Sequence, residues 1–177
     1  MFKPYSNIVL AFLALISFHS VAYALPGLGF GLMAGPNLTL PSTPSVSGYD
    51  LAGGIGFSVG PTVGVGPLEA SLLYSSYTLK STVASTTSSN SYKSLELPVL
   101  YRIGAGPIEF GLGGYYSLSV DSGSTSEDNN YGLVGSVRTS IPGGLFVDGR
   151  FNLGLNEVDS SNSKVSSLAI LIGFNFI

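Results

Sequence analysis

Apolar and polar residues alternate one by one along much of this chain. Between positions 108 and 120, Ile108, Phe110, Leu112, Tyr116, Leu118 and Val120 fall on one face, while Glu109, Gly111, Gly113, Tyr115, Ser117 and Ser119 fall on the other. Successive side chains of a strand point to opposite faces, whereas a helix repeats about every 3.6 residues, so this pattern predicts a strand. Residues 145–156 repeat it, with Leu145, Val147, Phe151, Leu153 and Leu155 opposite Asp148, Arg150, Asn152 and Asn156. Near the end, Leu168, Ile170, Ile172, Phe174 and Phe176 again share one phase.

Four times the chain leaves a glycine or proline turn and enters such a strand, at Leu28, Leu68, Ile108 and Leu145, with the starts 40, 40 and 37 residues apart. Each interval is long enough for a strand, a polar loop and a returning strand. The pattern predicts strands near 28–39, 49–63, 68–79, 93–103, 108–120, 131–141, 145–156 and 165–177. Gly64–Pro67, Gly104–Pro107 and Pro142–Gly144 are the tight turns; Leu40–Gly48, Lys80–Tyr92, Asp121–Asn130 and Glu157–Lys164 are the longer polar loops. Short turns at one end and long loops at the other are the pattern of an outer-membrane barrel. At about 3.3 Å per residue and a tilt near 45°, a dozen residues cover roughly 28 Å of bilayer.

Charge sharpens this reading. Charged residues make up only 10% of the chain, against about 25% for an ordinary soluble domain. No stretch after the leader approaches the run of about 18 apolar residues that a membrane helix needs. Backbone groups in lipid require internal partners, so such a membrane chain closes into a barrel. Glu69, Glu96, Arg102, Glu109, Arg138, Asp148 and Arg150 all lie in the phase opposite the aliphatic residues. The aliphatic face therefore meets lipid, and glycine, serine and a few ions fill a narrow lumen. Tyr49, Tyr74, Tyr116 and Tyr131 toward the loops, and Phe30, Phe57, Tyr101, Phe110, Phe174 and Phe176 toward the turns, form two aromatic belts at the interfaces. Pro36, Pro61 and Pro98 interrupt strands, and Pro98 is expected to break its ladder or mark a bulge.

Turn length predicts register. A four-residue loop at Gly104–Pro107 sets Arg102 opposite Glu109, and a three-residue loop at Pro142–Gly144 sets Arg138 opposite Asp148. Glu69 lies at the same height on the strand beside Arg102, which then bridges two carboxylates. Opposite charges across a ladder attract, and a desolvated charge left alone is costly. These residues are expected to form a structural plug.

The first 24 residues read as a secretory signal peptide. Lys3 precedes an apolar run from Ile8 to Phe18, and Ala22-Tyr23-Ala24 supplies the small-x-small site. Residues 25–177 then form one barrel domain. Without Lys3 the chain keeps six basic and ten acidic residues, a charge that excludes nucleic acid as a partner. It has no cysteine, so no disulfide framework is available.

Leu95-Glu96-Leu97-Pro98-Val99-Leu100-Tyr101 resembles the L-E-x-P-L-L segment of small outer-membrane β-barrel proteins of the PorT type. The Gly-x-Gly-Pro turns, the spacing of eight strands and the terminal Gly173-Phe174-Asn175-Phe176 are similar too. The resemblance implies a bacterial outer-membrane location, insertion by the barrel-assembly machinery, and no catalytic residues. The chain departs from the usual aromatic terminus, with Phe176 penultimate and Ile177 last.

The single histidine, His19, lies in the leader, so the remaining chain offers no histidine base, nucleophile partner or metal ligand. Asp121, Glu127 and Asp128 lack the spacing of a calcium loop. No cofactor or metal is expected. The sequence thus predicts an all-β, eight-stranded, antiparallel up-and-down transmembrane barrel, non-enzymatic and monomeric. Its partners are outer-membrane lipid and lipopolysaccharide, and its role is structural or surface-presenting. Two other readings stand beside it: a soluble periplasmic lipocalin-like barrel, which requires the aliphatic face inward, and a narrow pore.

Overall fold

The computed structural model describes residues 28–42, 49–83, 86–120, 129–156 and 164–176. The leader lies outside the described residues, as do residues 43–48, 121–128 and 157–163 of the loops expected at Leu40–Gly48, Asp121–Asn130 and Glu157–Lys164. The strands are β1 (Leu28–Ser42), β2 (Tyr49–Gly53), β3 (Ile55–Val65), β4 (Leu68–Ser71), β5 (Leu73–Val83), β6 (Thr86–Ala105), β7 (Ile108–Ser119), β8 (Asn130–Ser140), β9 (Leu145–Gly154) and β10 (Lys164–Asn175). β2 runs into β3 and β4 into β5, so the ten segments make eight staves. Every pairing is antiparallel, and β1 pairs with both β10 and β3, which closes the barrel.

Two of the tight turns are shorter than expected. β6 continues to Ala105, opposite Ile108, so the connection is Gly106-Pro107 alone. The first turn likewise reduces to Gly66-Pro67 between Val65 and Leu68. Gly66 and Gly106 take φ of 58° and 67°, and the following proline needs no N–H there. A positive-φ glycine at the first of two central positions suits the right-handed twist of a hairpin. The consequence is a correction: Arg102 stands opposite Gly111, not Glu109, and Glu109 pairs across the other ladder with Arg138. The third turn is as expected. Ile141 N–H donates to Leu145 O at 2.7 Å, and Arg138 faces Asp148.

The expected loop at 80–92 is mostly strand. The β5–β6 ladder runs on through Lys80↔Ser89 to Val83↔Thr86. Ser and Thr occupy both phases here, so the hydrophobic pattern fades while the backbone ladder persists. The prolines also behave uniformly. Pro36, Pro61 and Pro98 each keep one ladder intact and leave a gap in the other, and register is unchanged on both sides of each gap. Pro98 thus breaks one of its ladders, the first of its two expected outcomes, and no bulge marks it. The inserted residue lies instead around Gly54, where β2–β3 carries one residue more than β5 between Gly53↔Leu79 and Phe57↔Ser76. A Cβ on Gly54 would come within 2.8 Å of the Thr78 side chain, so the bulge requires glycine.

The outer wall is apolar. Ile55, Leu112, Leu133, Val137, Ile170 and Ile172 are all exposed, and each lies in the phase opposite the charges. Tyr116 and Tyr131 stand outward toward the loops, and Tyr101, Phe110 and Phe174 outward toward the turns. Tyr74 and Phe57 are also exposed but depart from the expected belts, because the pairs Val59↔Tyr74 and Phe57↔Ser76 set Tyr74 nearer the turn than Phe57. Phe176 stacks on Phe30 at 5.7 Å and meets Phe174 edge-on at 5.3 Å, across the β1–β10 seam. The side chain of Tyr49 lies outside the described residues. A lipocalin-like barrel needs the aliphatic face inward, and this structure has it outward.

Candidate functional site

The lumen is shut by charge. Glu69 on β4, Arg102 on β6, Arg138 on β8, and Asp148 and Arg150 on β9 occupy inward positions of their strands. Arg102 clamps Glu69 with Nε to Oε2 at 2.9 Å and Nη2 to Oε1 at 2.8 Å, and its Nη2 also reaches Asp148 Oδ2 at 2.7 Å. Arg138 joins the same two carboxylates, with Nη1 to Glu69 Oε2 at 2.6 Å and Nη2 to Asp148 Oδ2 at 3.1 Å. Arg150 does so as well, with Nη2 to Glu69 Oε1 at 2.8 Å and Nε to Asp148 Oδ2 at 3.0 Å. Each guanidinium thus bridges both carboxylates. Asp148 is wholly buried and Arg150 is 2% exposed. Charges removed from water to this degree persist only when paired and hydrogen-bonded.

Arg102 does bridge two carboxylates, as its position predicts, but the second is Asp148 rather than Glu109. Glu109 takes no part in the cluster. It lines a cavity of about 330 Å³ at the turn end, together with Glu69, Arg102 and Arg138. Glu96 also stands apart, toward the loops. It is 3% exposed, accepts a hydrogen bond from Ser75, and receives Asn152 Nδ2 at 3.4 Å. Among the described residues, no ion pair reaches either glutamate. Ser75 continues to Ser58 at 2.8 Å, and Asn37 Nδ2 donates to Ser58 Oγ at 2.8 Å, so a polar chain follows the lumen wall from β1 to β6.

Packed around these polar groups is an apolar filling that the charge pattern alone does not reveal. Met33, Leu73, Phe146, Ala169 and Leu171 form one buried cluster, and Leu100, Tyr115 and Val134 form another. The guanidinium carbon of Arg138 sits 4.1 Å from the centre of the Phe146 ring, a cation–π geometry. The same ring lies against Gly173, where a Cβ would come within 2.1 Å of it. The sequence does carry the signal: Leu73, Leu100, Val134, Phe146 and Leu171 are apolar residues in the phase opposite the outward aliphatic ones.

The side chains of the cluster bind one another. Among the described residues there is no group of three or more His, Cys, Asp or Glu side chains that could hold a metal ion.

The fold is similar to that in the crystal structure of Neisserial surface protein A (NspA), with a TM-score of 0.60 and 18% identity, over 83% of this chain and 97% of that one. The outer membrane protein OprG from Pseudomonas aeruginosa aligns with a TM-score of 0.49 and 14% identity, over 84% of this chain and 95% of that one. No protein-family model matches the sequence. No curated protein matches it either.

Proposed function

We propose that this chain is a non-enzymatic integral barrel of the bacterial outer membrane, its lumen closed by the five-residue ion cluster. It acts as a structural element of the membrane or displays its loop-side hairpins at the surface. One observation carries the reading: a closed, outward-apolar wall surrounds an interior filled by paired charge and packed side chains. A wall of this kind is stable only against lipid, and strands cross lipid only in a closed barrel. The likeness in fold to a protein named for the neisserial surface supports the same setting.

The turns then face the periplasm and the long hairpins face outward. The leader is removed after Ala24, the barrel-assembly machinery reads the last strand, and the barrel works as a monomer. Lipopolysaccharide is the expected lipid partner at the loop end. Lys93 and Lys164 are exposed there, at a height where ammonium groups meet lipid phosphates.

Planar-bilayer recording tests the closed lumen. The wild-type protein gives no conductance step, and Arg138→Ala gives one. A wild-type protein that conducts steadily would refute the plug and return the narrow pore as the better account.

A further inference from the structure

The charge count of the lumen is uneven. Three guanidiniums share two carboxylates in the cluster, with Glu109 lining the cavity on its turn side, while Glu96 is buried toward the loops with no cation paired to it among the described residues. Moving one guanidinium to Glu96 would leave two arginines on Glu69 and Asp148 below and form one ion pair above.

Arg150 is the arginine placed for this move. Along β9, Asn152 is the next inward residue, about 6.6 Å further toward the loops at about 3.3 Å per residue, and Asn152 already touches Glu96. Arg150 carries a longer side chain than Asn152 from the adjoining inward position. Glu96 also has suitable company for a fork of N–H donors. Asn152 Oδ1 and Ser94 Oγ are buried without a hydrogen-bond partner among the described residues, and both residues are more than nine-tenths buried. A guanidinium arriving at Glu96 brings donors of the kind that these acceptors lack. Arg150 is also loosely tied on the loop side, where its Nη1 meets Ser71 Oγ at only 3.4 Å.

We infer that Glu96 is a second berth for Arg150, so that the plug is a two-position latch whose moving arm is the Arg150 side chain. The inference rests on the reading of the cluster as a plug and adds a movement to it. In the lower position Arg150 locks Glu69 to Asp148. In the upper position it locks β9 to β6 and leaves Arg102 and Arg138 to hold the turn side.

Side-chain NMR of arginine-labelled protein in lipid nanodiscs tests the latch, with the Nε–H signal of Arg150 assigned from an Arg150→Lys sample. The wild-type signal is expected to show microsecond-to-millisecond exchange that disappears in Glu96→Gln. In Asp148→Asn, which removes the negative charge from the lower Nε acceptor, the signal is expected to shift, and adding Glu96→Gln should shift it again. A wild-type signal without exchange, or an Asp148→Asn signal indifferent to Glu96→Gln, overturns the latch. If Asp148→Asn does not fold, the wild-type and Glu96→Gln comparison decides alone. A conducting wild-type channel would instead refute the plug, through a separate readout.

Discussion

Removing the Asp148 carboxylate should be the most damaging single change in the lumen. Its Oδ2 accepts from Arg102 at 2.7 Å, from Arg150 at 3.0 Å and from Arg138 at 3.1 Å, and the residue is wholly buried. In Asp148→Ala three guanidiniums are left with Glu69 alone. Charge-assisted hydrogen bonds contribute about 1.5–3 kcal/mol each, but the arginines keep their bonds to Glu69, so a simple sum overstates the loss. Breaking a buried ion pair by deleting one partner costs about 3–5 kcal/mol, and a value near 4 kcal/mol is expected here. That is almost a thousandfold in the folding equilibrium, at about 1.4 kcal/mol per factor of ten. The control is Glu109→Gln, which removes a charge that takes no part in the cluster and should change stability by no more than about 0.5 kcal/mol. Urea titration of both variants in lipid vesicles, with folded fraction read from the mobility of unheated protein on a gel, measures the difference. If Asp148→Ala unfolds at the same urea concentration as Glu109→Gln, the cluster does not hold the barrel together and the plug argument fails.

Three further outcomes are expected. Gly173→Val drives a side chain into the Phe146 ring and should destabilise by about 1–3 kcal/mol, as overpacking does; the same urea titration shows it, and Phe146→Ala in the same molecule should recover part of the loss. Ile170→Arg places a charge on the exposed outer wall midway along β10. It should cost about 2–4 kcal/mol near the bilayer centre, seen as a reduced folded fraction in vesicles; an unchanged folded fraction would show that this face does not meet lipid. Unheated protein from an outer-membrane fraction should migrate faster than boiled protein, because a closed barrel resists dodecyl sulfate, and identical mobility would count against closure.

The parts of this fold that follow local rules are the parts the sequence discloses. Alternation separates Phe110 from Gly111 and Phe151 from Asn152, so the two faces of β7 and β9 are legible one residue at a time. The pair Arg138–Asp148 is legible because Pro142–Gly144 admits one turn length. Arg102–Glu109 is misread because Gly104 and Ala105 fit a strand as well as a turn, and the two-residue turn at Gly106-Pro107 shifts the register. The meeting of Glu69 with Arg150 is not legible at all. Their strands β4 and β9 are not ladder neighbours, and barrel curvature alone brings them to 2.8 Å. Gly54 shows another limit. The bulge there resets the phase, so that Ala52 and Ile55 are both exposed although they are an odd number of positions apart. The extended β5–β6 hairpin escapes a hydrophobic reading because Ser and Thr offer no contrast between faces.

The central claim is that one face of every strand meets lipid and the other meets a sealed interior. The chain has no cysteine, so single cysteines at Leu133, Val134, Ser136 and Val137 on β8 can each carry a fluorophore in an otherwise unlabelled barrel. In vesicles of brominated lipid the account predicts strong quenching at 133 and 137 and little at 134 and 136. Quenching at 134 and 136 instead, or equal signals at all four positions, would contradict it.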